Sequence, residues 1–131
     1  MIVVDASALI EWLLRTPAGL AVGLHLARHA GALEAPSIVL VECADGLRRL
    51  EARSVIDTKR ADLSFKAISQ LPMTLHNPTA LMPRVWAWRS SVTSYDATYV
   101  ALAETLAVPL VTCDARLARR RGNSAEVILA S

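Results

Sequence analysis

Hydrophobic residues along the chain form short runs that alternate with longer stretches in which they recur every three or four positions. The short runs predict buried strands, and the longer stretches predict helices with one apolar face. The predicted strands span residues 1–5, 33–35, 73–76, 109–112 and 127–129. Strands that alternate with helices imply a parallel sheet covered by helices on both faces.

Residues that commonly begin or end helices bound several of the helical stretches. Ser7, Ser37 and Asp57 can each cap a following helix, because their side-chain oxygens can accept a backbone N–H. Another helix opens on Pro17 and closes on Gly31, which are favoured residue types at those two ends. The predicted helices span residues 7–15, 17–30, 37–53, 57–71, 79–89, 94–106 and 114–121.

The composition fits one folded domain that spans residues 1–131. Hydrophobic residues make up 53% of the chain, which excludes intrinsic disorder. Charged residues make up only 20%, so we expect a partner or a second copy of the chain to cover part of the apolar surface. The net charge of +2 is too balanced to indicate nucleic-acid binding by itself.

Cysteine usage and hydropathy predict the compartment. Cys43 and Cys113 give neither a disulfide framework nor a metal-binding spacing, which favours a reducing environment. No apolar run reaches the roughly 18 residues that a membrane span needs. No basic residues precede the first apolar run, unlike in a signal peptide. We therefore expect a soluble, cytoplasmic protein with no membrane partner.

Two carboxylates follow predicted strands at the point where each strand ends. Asp5 follows the run MIVV, and Asp114 follows PLVTC. Ligands of open parallel sheets bind at the carboxyl ends of the strands, so both acids are candidates for a site there. The alternative is that each aspartate only caps the helix that follows it.

Two further acids lie on predicted helices. Asp96 lies in the first turn of the helix at 94–106, on its apolar face, where an isolated buried charge would be costly. A solvated or capping aspartate would also suit that turn. Glu42 lies at the edge of the apolar stripe of the helix at 37–53, and its alternative is an exposed pair with Arg48 or Arg49.

Carboxylates gathered in one pocket would repel one another and raise their pKa values, and a cation would relieve that repulsion. Oxygen ligands without histidine or cysteine favour a hard ion, Mg²⁺ or Mn²⁺. Such an ion can bind a phosphate, activate water and stabilise a leaving oxygen. The residues therefore favour a metal-dependent phosphodiesterase.

Three segments resemble the PIN-domain ribonucleases, and in particular the VapC toxins of bacterial type II toxin–antitoxin pairs. They are VVDASALIEWLL, APSIVLVECADGLRR and SYDATYVALAETLAVPLVTCDARLA. With the length, the resemblance covers essentially the whole chain. It implies a three-layer α/β/α sandwich with a central, mostly parallel sheet of four to five strands. It also implies an endoribonuclease that uses Mg²⁺, with Mn²⁺ as a substitute.

The resemblance also implies roles for individual residues. The four acids of the family match, in chain order, Asp5, Glu42, Asp96 and Asp114. The three aspartates would hold the metal, and Glu42 would complete the site or orient the attacking water. The hydroxyls of Ser7 and Thr112 would support these groups. Many relatives carry another acid shortly after the fourth one, where this chain has Arg116 and Leu117, so a second ion would be poorly held.

The partners implied by the resemblance are an RNA substrate and a cognate, VapB-like antitoxin. We expect a homodimer, which with the antitoxin would form a heterotetramer or a larger assembly. Trp12, Leu13 and Leu14, with the apolar second helix, would form either ordinary core or a groove for the dimer mate or the antitoxin.

A cluster of arginines follows the fourth acid, at Arg116, Arg119, Arg120 and Arg121. Basic side chains beside an acidic site can follow the phosphate backbone of RNA. The alternative is a solvated helix end, where positive charge is favourable.

Two rival hypotheses share the same fold. One is a PIN nuclease with an RNA-processing or DNA-directed role and no antitoxin, which would purify without a small partner chain. The other is a catalytically silent PIN-like binding module, which the missing acid after Asp114 favours. Such a module would fail to bind Mn²⁺.

Overall fold

In the computed structural model, which describes residues 1–29, 32–120 and 122–131, five strands form one sheet. The strands are β1 (Ile2–Val4), β2 (Leu33–Pro36), β3 (Met73–His76), β4 (Leu110–Thr112) and β5 (Val127–Leu129). Every pairing is parallel, and the strand order is β3-β2-β1-β4-β5. β1 therefore lies at the centre, where Val3 pairs with Glu34 of β2 on one side and Leu110 of β4 on the other.

Helices connect the strands and cover both faces of the sheet. They are α1 (Ala6–Leu13), α2 (Pro17–Arg28), α3 (Val39–Ala52), α4 (Thr58–Ser69), α5 (Met82–Ala87), α6 (Ser94–Leu106) and α7 (Ala115–Ala118). α1 packs with α2, α3 and α4. α6 packs against β1, β2 and β4, and α5 packs against α6. The fold is the α/β/α sandwich that the sequence predicts, with five strands.

The core lies between the central strands and the helices on either side. Ile2, Val3 and Val4 of β1 and Leu110 and Val111 of β4 are all fully buried. Strands covered on both faces need apolar side chains in every position, which explains why these runs show no alternation.

Two glycines allow α1 to approach its neighbours closely. A Cβ on Gly19 of α2 would overlap the backbone carbonyl of Glu11, and a Cβ on Gly46 of α3 would overlap the side chain of Ile10. A side chain at Gly19 would push α1 away from α2, because it would meet the backbone of α1. At Gly46 a side chain would meet only the end of the Ile10 side chain, which would have to move aside.

The structure corrects two predicted helix caps. Asp5, and not Ser7, caps α1, because its side chain accepts the N–H of Ala8 while Ser7 lies inside the first turn. Ser37 caps no helix: α3 begins at Val39 without a side-chain cap, and the N–H of Ser37 donates to the carbonyl of His76. Asp57 caps α4 as predicted.

Three predicted helices are shorter or divided. The helix predicted at 79–89 is a 3₁₀ turn (Pro78–Leu81) followed by α5, since Pro83, which has no N–H, stands at the start of α5. α7 is a single turn with one buried anchor, Leu117, although 114–121 was expected to be helical. α2 ends at Arg28; the predicted end at Ala30 and Gly31 lies outside the described residues.

In the described ranges, no helix combines the length and the apolar character that crossing a membrane requires.

Candidate active site

Asp5 is the most buried of the four candidate acids, with 4% of its surface exposed. Its Oδ1 accepts the hydroxyl of Ser7 at 2.7 Å and the N–H of Ala8 at 2.9 Å, and its Oδ2 accepts the hydroxyl of Thr112. Burial raises the pKa of Asp5, and these hydrogen bonds offset part of that rise. The carboxylate is therefore held in one orientation by donors from β4 and α1.

The two supporting hydroxyls also join the ends of β1 and β4. Ser7 Oγ and Thr112 Oγ1 lie 3.3 Å apart. Ser7 Oγ accepts the N–H of Cys113 at 3.0 Å, and Thr112 Oγ1 accepts the N–H of Asp114 at 3.0 Å. The network sets the position of the β4–α7 junction relative to Asp5.

Asp114 lies at that junction, beside Arg116. Asp114 accepts the backbone N–H of Arg116 at 2.9 Å and so caps α7. Its Oδ1 lies 3.6 Å from Nε of Arg116, whose side chain is 87% exposed. Both strand-end aspartates therefore cap the helix that follows them and also line one cleft, two positions that the sequence presents as alternatives.

Glu42 projects from α3 toward α6. Its Oε1 accepts the hydroxyl of Tyr99 at 2.6 Å. Burial and the negative charges of Asp96 and Asp5 raise the pKa of Glu42, while the bond from Tyr99 lowers it. The alternative pairing of Glu42 with an arginine is wrong.

The arginines expected beside Glu42 bind another acid. Arg48 Nη2 lies 2.7 Å from Asp45, and Arg49 Nε lies 3.8 Å from the same side chain. These pairs are exposed and contribute little stability.

Asp96 lies in the first turn of α6, which Thr93 caps by accepting the N–H of Asp96 at 3.2 Å. Burial raises the pKa of Asp96, and the charge of Asp114 raises it further. Asp96 is therefore half-buried and electrostatically coupled to another acid of the set, as its place on the apolar face of α6 predicts.

All four acids line one open cleft of about 280 Å³ at the carboxyl ends of β1 and β4. Its other lining residues are Ala6, Ser7, Ile10, Arg49, Tyr99 and Arg116. Four separate chain segments thus supply carboxylates to a single cavity, and three of those carboxylates have raised pKa values.

The donor set fits a hard divalent cation, since the cleft offers carboxylate and hydroxyl oxygens. Among the described residues, no three His, Cys, Asp or Glu side chains already stand at coordinating distance. An ion would have to draw the carboxylates inward.

The thiols of the two cysteines beside these acids have raised pKa values. Burial and the charges of Glu42 and Asp5 raise the pKa of the Cys43 thiol to about 12. Burial and the charge of Asp5 raise that of Cys113 to about 11. These shifts favour the protonated thiol at both positions, and neither cysteine is among the residues that line the cleft.

The arginines after Asp114 differ in their surroundings. Arg116 and Arg119 are exposed. The guanidinium of Arg120 packs on the Trp88 ring, 4.3 Å from its centroid, with Nη2 3.5 Å from the hydroxyl of Ser91. Arg121 lies outside the described residues.

Sequence reasoning misses Tyr99 as the partner of Glu42. The available signal is that Tyr99 shares the apolar face of α6 with Asp96. A buried tyrosine hydroxyl needs a hydrogen-bond partner, but only the folded positions of α3 and α6 identify it as Glu42.

Comparison with known proteins agrees with the fold. Residues 2–123 match the PIN domain family. Ribonuclease VapC12 of Mycobacterium tuberculosis is 39% identical over 129 residues, which cover 98% of each chain.

Two solved structures have the same fold. PAE2754 from Pyrobaculum aerophilum has a TM-score of 0.68 at 24% identity, covering 96% of this chain and 89% of that chain. VapC20 of Mycobacterium tuberculosis, described as a sarcin-ricin loop cleaving toxin, has a TM-score of 0.65 at 19% identity, covering 90% and 93%. The chain therefore belongs to the PIN-domain family, among the VapC ribonucleases.

Proposed function

We propose that the four-acid cleft binds Mg²⁺ and hydrolyses RNA phosphodiester bonds, and that the protein is the toxin of a type II toxin–antitoxin pair. One observation carries the proposal: carboxylates from four distant segments line a single open cleft. Burying charge is costly, so a fold that gathers four acids needs a compensating cation.

The three aspartates are the proposed metal ligands. Asp5 is held by Ser7, Ala8 and Thr112, while Asp96 and Asp114 approach from the start of α6 and the end of β4. When bound, Mg²⁺ or Mn²⁺ would neutralise phosphate charge and acidify the attacking water.

Glu42 would orient the attacking water and accept its proton. The hydroxyl of Tyr99 holds Oε1 of Glu42, which leaves Oε2 as the free acceptor on the same carboxylate. The side chain of Arg116 extends beside Asp114. It would contact the phosphate of the RNA and so position the phosphorus atom for attack by that water.

A VapB-like antitoxin and a second copy of the chain are the proposed protein partners in the cytoplasm. Leu20 and Leu24 of α2 are 67% and 65% exposed. They leave an apolar strip on the surface that the antitoxin or the second copy of the chain would cover. Trp12, Leu13 and Leu14 are instead packed against the core, as the core alternative predicts.

Purified, partner-free protein incubated with total RNA tests the proposal. We expect discrete fragments with Mg²⁺ or Mn²⁺ and none with EDTA. Asp5→Asn should abolish cleavage while remaining folded, since asparagine can still accept the N–H of Ala8. Asp62→Asn, which removes one exposed charge from α4, is the matched control and should cleave normally.

Equal cleavage by wild type and Asp5→Asn would contradict the site. Cleavage of DNA in place of RNA would favour a DNA-directed nuclease. The absence of both RNA cleavage and Mn²⁺ binding would favour the silent binding module.

A further inference from the structure

Three cavities adjoin along the carboxyl edge of the sheet, and the acid cleft is the middle one. A cavity of about 340 Å³, lined by Val41, Glu42, Asp45, Arg49 and Tyr95, shares Glu42 and Arg49 with the acid cleft. We call it the aromatic end.

A second cavity, of about 210 Å³, shares Asp96, Asp114 and Arg116 with the acid cleft. Its remaining lining residues are Ser91, Val92, Thr93, Leu117 and Arg120. We call it the arginine end. The three cavities form one groove with the acids in the middle.

We propose that this groove binds single-stranded RNA, with a base stacked on Tyr95 at the aromatic end and a phosphate held at the arginine end. The inference rests on the proposed function, because it places the cleaved bond over the acids between the two ends.

The aromatic end has the features of a base-stacking platform. Tyr95 is 61% exposed and lines this cavity together with Val41, which is 72% exposed. Large apolar side chains exposed at the rim of a charged cleft usually mark a contact surface. Every nucleobase has a π-face, so an exposed ring can stack bases with little regard to sequence.

Arg49 adds a cation to the aromatic end. Its side chain is 58% exposed, and its ion pair with Asp45 is long, at 3.8 Å. Such an exposed pair contributes little. The guanidinium is therefore available to stack on a base or to bind an adjacent phosphate.

The arginine end has the features of a phosphate site. Arg116 extends an 87% exposed side chain from Asp114. Arg120 is held in place by Trp88, which limits the side-chain entropy lost when a ligand binds. Thr93 accepts the N–H of Asp96, and its hydroxyl hydrogen can still be donated.

The different chemistry of the two ends selects a single strand. The bases of a duplex are stacked inside it and present only their edges, so they cannot pack on the ring of Tyr95. An unpaired loop or end can present a base on one side of the cleaved bond and a phosphate on the other.

Binding measured by fluorescence anisotropy tests this inference. The probe is a labelled pool of short single-stranded RNAs of random sequence, and the protein carries Asp5→Asn so that no cleavage occurs. Adding Tyr95→Ala should weaken binding roughly 10-fold, as expected for one lost base stack. Tyr95→Phe should retain the affinity. Trp86→Ala is the control, because Trp86 is 65% exposed on α5 and is not among the residues lining the three cavities.

The arginine end is tested by salt dependence. Arg116→Ala should reduce the slope of log affinity against log salt by about 1, because one phosphate contact is lost. Arg28→Ala removes the same charge from an exposed position on α2 and should leave the slope unchanged.

These outcomes are separable from those of the proposed function, since binding is read without cleavage. An unchanged affinity in Tyr95→Ala would overturn the inference even if the protein cleaves RNA. So would a duplex RNA probe that binds as tightly as the single strand. Loss of a co-purifying antitoxin in Tyr95→Ala, with RNA affinity unchanged, would assign the aromatic end to a protein and would also overturn it.

Discussion

The hydroxyl of Thr112, the last residue of β4, donates to the carboxylate of Asp5, the residue directly after β1, across 107 positions of sequence. Thr112 is fully buried, and Asp5 is 4% exposed. The bond exists because β1 and β4 are parallel neighbours at the centre of the sheet, so their carboxyl ends meet. It links the most buried acid of the cleft to the strand that precedes Asp114.

Thr112→Val should destabilise the protein and reduce its activity. Valine keeps the shape but removes the donor to Asp5 and the acceptor for the N–H of Asp114. Leaving buried polar groups without partners costs about 1–3 kcal/mol. Urea unfolding measures this loss. Thr105→Val, which alters an exposed threonine bonded only within α6, is the control. Equal losses in the two variants would contradict the account.

Tyr99→Phe should reduce cleavage about 10- to 100-fold, as is typical when a residue that orients an active-site group is lost. The hydroxyl of Tyr99 lowers the pKa of Glu42 and fixes one of its oxygens, so its removal would leave Glu42 less often ionised and less well placed. A pH–rate profile should show the acidic limb moved to higher pH. Tyr95→Phe makes the same chemical change outside this bond, and an equal loss there would contradict the role of Tyr99.

Asp96→Asn should stabilise the metal-free protein at neutral pH. Burial raises the pKa of Asp96 above its ordinary 3.8. At pH values between the unfolded-state pKa and the higher folded-state pKa, the folded protein therefore binds more protons than the unfolded chain. The unfolding free energy therefore falls as pH rises through that window. The variant should lose this dependence, and its advantage should vanish below the ordinary pKa. Urea unfolding in EDTA across that range measures the effect.

Glu104→Gln is the control of opposite sign. Burial raises the pKa of Glu104, but the N–H of Ser124 and the guanidinium of Arg84 outweigh burial and hold the pKa below its usual value. Its charged form therefore stabilises the fold above that range, and the glutamine variant should be less stable at neutral pH. The same sign of change in both variants would contradict these assignments.

Gly19→Ala should destabilise the fold by about 1–3 kcal/mol, the usual cost of overpacking a close contact. The added methyl group would overlap the carbonyl of Glu11, which belongs to the backbone of α1 and cannot turn aside. Gly23→Ala is the matched control on the same helix, because its methyl group would meet only the Trp12 ring, at 3.4 Å. Thermal unfolding of both variants measures the difference, and equal melting temperatures would contradict this packing.

Sequence pattern predicts the parts of this fold that depend on local or strand-level rules. The bounds of α6 follow from its apolar period, and the shared edge of Asp5 and Asp114 follows from the parallel sheet. The partner of Glu42 cannot be predicted in this way, because it depends on where the folded chain places α3 relative to α6. Ser7 and Asp5 compete to cap the same helix, and only the structure shows that Asp5 does so while Ser7 donates to it.

The position of Arg120 depends on packing in the same manner. Its place after Asp114 predicts an RNA contact or a solvated helix end, and the stacking on Trp88, from another part of the chain, argues against only the second of these. Side-chain stacking between distant segments leaves no periodic signal in a single sequence.

Calorimetric titration with Mn²⁺ tests most directly the central claim that the carboxylates of the cleft hold a divalent cation. The proteins to compare are the wild type, Asp5→Asn, Asp96→Asn and the surface control Asp62→Asn. We expect saturable binding by the wild type and by Asp62→Asn, and its loss in both cleft variants. Mn²⁺ binding of equal affinity in all four proteins would show that the ion binds elsewhere and would contradict the account.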